Sequence, residues 1–148
     1  MAVIERRTAL FVMLFAIASA GLRADQATEL RARLGNVANA LSAGNAAEAM
    51  APFSKSFKDY EKLRRYFTGL TDAFAIENEV DVLEEPGEAN ASPVLTVRWA
   101  ITLANRDTQY SNHRAGEIRV RFAREKDKWQ IVEFGPLDLF DPARAQER

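Results

Sequence analysis

Hydrophobic positions along the chain change rhythm part-way. Between Asp25 and Ala43, Leu30, Leu34, Val37 and Leu41 recur at intervals of four, three and four. That spacing places them on one face of a helix. Asp25 stands where an N-cap is expected, and Ser42, Gly44 and Asn45 are residues that end such a helix. AAEAMAPF (46–53) reads as a short second helix or turn, checked by Pro52. A third helix then carries Phe57, Tyr60, Leu63, Phe67 and Leu70 along one side. Lys55, Lys58, Lys62, Arg64 and Arg65 lie mostly off that stripe and read as a solvated face, with an anionic surface as the alternative contact.

After Gly69 the period shortens to two. Phe74, Ile76, Val80 and Val82 alternate with Glu77, Glu79 and Asp81, as in a half-buried strand. The segment 84–93 breaks it with Pro and Gly. In the next strand Leu95, Val97, Trp99, Ile101 and Leu103 face one way, and Thr96, Arg98, Ala100 and Thr102 the other. NRDT (105–108) has turn chemistry. A third strand points Ile118, Val120 and Phe122 inward and Arg119 and Arg121 outward; EKDK (125–128) turns again, and Trp129 and Ile131 open the last strand. Helices followed by an antiparallel meander predict an α+β domain, with N-terminal helices packed on a curved antiparallel sheet of about four strands. Acidic Glu77, Glu79 and Asp81 and basic Arg98, Arg119 and Arg121 then share the outer face. Opposite charges on adjacent strands contribute about 0.2–1 kcal/mol per pair and discourage edge pairing. They read as solvent ladders, with a dimer face as the runner-up.

The segment DKWQIVEFGPLDLFDP (127–142) raises a separate question, because it places Leu137, Leu139 and Phe140 after the last strand. Apolar side chains there are expected to cover an open end of the core or of a neighbouring chain. Fully burying each stabilises by about 1.5–3 kcal/mol.

The N-terminus has the three-part pattern of a secretory signal. Glu5, Arg6 and Arg7 form a charged head, residues 8–18 an apolar run, and Ala18, Ser19 and Ala20 the small residues a signal peptidase requires. A membrane span needs about 20 apolar residues, and this run is shorter. The expectation is a signal over 1–20, a single domain over 26–140 and a tail over 141–148, in a secreted or periplasmic protein; retention of the segment as an anchor is the alternative. Removing Glu5, Arg6 and Arg7 from the 20 basic and 21 acidic residues leaves 18 against 20, a net charge of −2 with His neutral. That balance gives no reason to expect nucleic acid. The chain has no Cys, which removes disulfides, thiolate nucleophiles and Cys-based zinc sites.

ATELRARLGNVANALSAGNAAEAMAPFS (27–54) and GEIRVRFAREKDKWQIVEFGPLDLF (116–140) together resemble the nuclear transport factor two-like superfamily, which includes ketosteroid isomerases and SnoaL-like cyclases. The resemblance runs from Ala27 to Phe140, and its most telling piece is VRFAREKDKWQIVEF. It implies a cone in which a curved sheet wraps helices around an internal pocket. It implies no catalytic set: 25–43 contains no Tyr, the inward strand positions carry no Asp, and the chain has one His.

Candidate site residues follow from phase. Asn78 is in phase with Phe74 and Ile76 and should point inward, as a satisfied core amide or a ligand-orienting group. Glu133 is in phase with Trp129 and Ile131, which would turn a carboxylate toward the pocket, where burial raises its pKa and suits a general base. Val132 and Phe134, apolar in the opposite phase, leave open a bulge or a strand covered on both sides. His113 lies in the polar stretch QYSNHRAG and reads first as a rim or surface residue, second as an acid–base group. Tyr60 shares the apolar stripe, with its hydroxyl at the pocket edge. Trp99 and Trp129 read as core neighbours across the sheet or as an aromatic wall for a flat ligand. No metal site and no cofactor is expected. The sequence thus supports a small-ligand-binding domain for an apolar or amphipathic molecule. The alternatives are an acid–base enzyme using Glu133 with His113 or Tyr60, and a protein-interaction module using the outer sheet face.

Overall fold

The protein is described by a computed structural model, in which residues 25–145 are described. The expected signal at 1–20 lies outside the described residues. Helix α1 occupies 25–42, and Asp25 is already helical rather than a cap. Leu30, Leu34, Val37 and Leu41 are all buried, as their spacing predicts. The helix ends in a left-handed Gly44 with φ 75°. Gly44 N–H donates to Leu41 O (3.0 Å) and Asn45 N–H to Ala40 O (2.9 Å), the bonding of a Schellman cap. Asn45 then starts α2 (Ala46–Met50), accepting from Glu48 N–H at 3.0 Å.

Helix α3 (Tyr60–Ala73) buries Leu63, Phe67 and Leu70, while Phe57 is buried from the turn ahead of it. It runs without a loop into β1 (Phe74–Glu84). Strands β2 (Val94–Asn105), β3 (Ser111–Glu125) and β4 (Lys128–Gly135) follow, in a four-stranded antiparallel sheet of order β1-β2-β3-β4. The predicted α+β architecture is the observed one. The β3–β4 turn places Lys126 and Asp127 at φ 51° and 65°, the double positive φ of a two-residue hairpin loop. β4 is an edge strand, but Ile131 is paired beyond it: its N–H donates to Pro52 O and its carbonyl accepts from Ser54 N–H, both at 2.8 Å.

Leu137, Leu139 and Phe140 are core residues. After Pro136 the chain makes a 3-10 turn over Asp138–Phe140 and ends its described course in α4 (Pro142–Ala145). Phe140 is fully buried and meets Phe67 (centroids 5.5 Å apart, 82°), Trp99 (5.3 Å, 86°) and Phe134 (5.6 Å, 36°). The first two are edge-to-face contacts, which add to simple burial. Arg114 holds the segment in place. Only 7% exposed, its guanidinium donates to the carbonyls of Leu139 (2.8 Å), Asp141 (3.2 Å) and Asp138 (3.4 Å). A cation is favoured beside the carbonyls that end a helical turn, and that of Asp138 also accepts from Asp141 N–H at 3.2 Å. Gly69 permits the last close approach: a Cβ there would lie 2.7 Å from Pro142 Cγ. Replacing Phe140 by Ala is expected to lower stability by about 3–5 kcal/mol in denaturant titrations. A loss below about 1 kcal/mol, the range of surface substitutions, would show that the segment is not part of the core.

Candidate functional site

The space between helices and sheet is where the resemblance implies a pocket. Side chains fill it. Trp99 is fully buried and stands edge-on to both Phe134 (5.9 Å) and Phe140, and Phe53 closes on Phe134 at 5.1 Å and on Phe67 at 6.1 Å. Asn78 points inward from β1, as its phase predicts, and is hydrogen-bonded through both its amide nitrogen and its oxygen. Its amide donates to Ala38 O and Ser42 Oγ on α1, both at 3.0 Å, and its oxygen accepts from Trp99 Nε1 at 2.9 Å. The amide therefore ties α1 to the sheet and gives the indole of Trp99 the partner it needs.

The remaining candidates do not gather around that space. Glu133 faces outward, contrary to its simple phase. The β3–β4 register runs from Arg121↔Glu133 to Phe122↔Ile131, so Val132 is an extra residue, a β-bulge that inverts the alternation. Phe134 takes the inward position, while Glu133, its side chain 68% exposed, pairs with Arg121 at 3.0 Å. His113 is exposed on the outer face, hydrogen-bonded through Nδ1 to Thr102 Oγ1 at 2.8 Å. It lies eight residues along β3 from Arg121, the register partner of Glu133, so the two acid–base candidates stand roughly 26 Å apart at strand rise. Tyr60 is half-buried at the start of α3. Trp129 is buried, with Arg124 over its ring at 5.0 Å and its Nε1 without a partner. Trp99 and Trp129 are not neighbours: the first is level with Gly116 and the second with Arg124, and β3 separates their strands. Among the described residues no group of three His, Cys, Asp or Glu side chains could hold a metal ion.

A concave site does exist, outside the cone. A cleft of about 490 Å³ opens beside β4. The loop 56–59 forms one wall, Val94, Arg119 and Arg121 another, and residues 132–135 the floor. Phe57, Val94, Val132 and Phe134 supply apolar surface; Lys58, Arg119 and Arg121 supply three cations against Asp59 and Glu133. The bulge builds this site, because it turns Val132 and Glu133 toward the loop. Sequence reasoning assigned Lys58, Arg119 and Arg121 to solvated faces and missed their convergence. The legible signal was the apolar pair Val132 and Phe134 flanking Glu133. Arg114 was also missed, although it shares the inward phase of Ile118 and Val120.

No protein-family model matches the chain, and no curated protein matches it by sequence. Solved structures do. A conserved protein from Planctomyces limnophilus DSM 3776 is 13% identical with a TM-score of 0.69, over 77% of this chain and 96% of that one. An NTF-2-like protein of unknown function from Shewanella oneidensis MR-1 is 13% identical with a TM-score of 0.60, over 74% and 96%. This chain has the nuclear transport factor two-like fold. A ketosteroid isomerase-like protein from Erwinia carotovora atroseptica SCRI1043 shares it too, at 9% identity and a TM-score of 0.59 over 72% and 91% of the two chains. At such identities the likeness is one of fold.

Proposed function

We propose that the protein is an exported, non-catalytic domain that binds a small amphipathic molecule in the cleft beside β4. The observation that carries this reading is the combination of a filled cone with an open cleft of about 490 Å³, a size common among small-ligand sites. Apolar Val94 and Val132 beside charged Lys58, Arg119 and Arg121 suit a ligand with one greasy and one polar end. The acid–base reading that pairs Glu133 with His113 loses support from geometry. An acid and a base acting on one substrate must both reach it, and Glu133 and His113 are separated by most of the length of β3. The interaction reading has the outer sheet face, where the acidic row of β1 borders Arg98; among the described residues the one large exposed hydrophobic side chain is Leu83, which is little for a stable protein interface. Export rests on the N-terminal pattern of charged head, apolar run and Ala-Ser-Ala.

Two outcomes test this. N-phenyl-1-naphthylamine, a neutral fluorescent amphiphile, should bind at one saturable site, and Val132→Trp should weaken it by about tenfold, or 1.4 kcal/mol, without lowering Tm. Absence of saturable binding, or binding indifferent to the Trp, would overturn the cleft. Expressed with its own N-terminus in an exporting bacterium, the protein should have an intact mass beginning at Gly21. A mass that retains residues 1–20 would overturn cleavage.

A further inference from the structure

We infer that the cleft selects an anion: its ligand carries a carboxylate or similar acidic head on an apolar body, and Glu133 occupies part of the head-group position when no ligand is bound. This rests on the cleft being the binding site and adds the charge class of what it takes.

Three cations line the cleft, and they are not equally engaged. Arg121 Nε donates to Glu133 Oε2 at 3.0 Å, and its Nη1 to Ser92 O at 3.3 Å. Lys58 and Arg119 form no ion pair with any described residue. Arg119 and Arg121 are two residues apart on β3 and project from the same face, about 7 Å from one another at strand rise. Lys58 reaches the same space from the opposing loop. With Asp59 and Glu133 counted against them, the lining has an excess of one positive charge. Concave, low-dielectric walls concentrate such a charge. A planar guanidinium matches a carboxylate in two-point geometry, which distinguishes an acidic head from a hydroxyl.

The position of Glu133 gives the site an internal stand-in. It stands beside Arg121 only because Val132 is bulged, and at 68% exposed its side chain is free to swing away. An incoming carboxylate takes the freed guanidinium along with Arg119, while its apolar body lies on Val94, Val132 and Phe57. Glu133 thus competes with the ligand's head and sets how tightly an anion is held.

Displacement of N-phenyl-1-naphthylamine by decanoate and by 1-decanol tests this. In the wild-type protein decanoate should displace the probe at about tenfold lower concentration than decanol, the discrimination expected of a charge-assisted hydrogen bond. Arg119→Gln should shrink that preference several-fold, Arg121 and Lys58 remaining in the lining. Glu133→Gln should lower the decanoate midpoint several-fold relative to that of decanol. Equal displacement by the two compounds, or a preference undiminished in Arg119→Gln, would overturn the charge selection while leaving an amphiphile site in place. A protein that never binds the probe would sink both the site and its selectivity.

Discussion

The structure depends on one contact set: the C-terminal segment closing over the sheet through Phe140. Helices packed over one face of a four-stranded sheet leave an interior with one end open. Here Phe140 enters that end and lies against Phe67 of α3, Trp99 of β2 and Phe134 of β4. Apolar surface from a helix, the sheet and the tail is thereby removed from water together. The turn sets carbonyls at the edge of the core, where an unpaired one is costly, and Arg114 donates to three of them, that of Leu139 in a buried bond. A buried guanidinium is stable here because carbonyls and Asn112 Oδ1 take up its donors.

The packed interior and the cleft outside it are built by the same residues. In this chain the inward polar group on β1, Asn78, is consumed by Ala38, Ser42 and Trp99. A single inserted residue on β4, Val132, sends Phe134 into the core and Glu133 out of it. The same bulge that completes the aromatic core therefore shapes the cleft outside and supplies one of its charges. Packing inside and chemistry outside are two consequences of one register shift.

Element types were legible because the hydrophobic period is strong. Leu30 to Leu41 keep a helical rhythm, and Leu95 to Leu103 keep a strict alternation, so burial followed the pattern in both. Glu133 defeated the same logic, since alternation is counted from Trp129 and a bulge breaks the count. The apolar flanks of Glu133 marked the irregularity but not which residue would be extruded. The convergence of Lys58 with Arg119 was beyond reach, because it depends on how the loop 56–59 lies against a strand about sixty residues further along. Arg114 shows the opposite case: its inward phase was visible, but its partners are carbonyls, which carry no sequence signature.

Amide hydrogen exchange at Phe140, whose N–H donates to Leu137 O at 2.9 Å, tests the filled and sealed core most directly. If the segment is integral to the core, it opens only with the whole domain, and the Phe140 amide is protected to the same free energy as the central amides of β2. Exchange at Phe140 by local opening, several kcal/mol easier than exchange from β2, would make the segment a detachable flap and contradict the account.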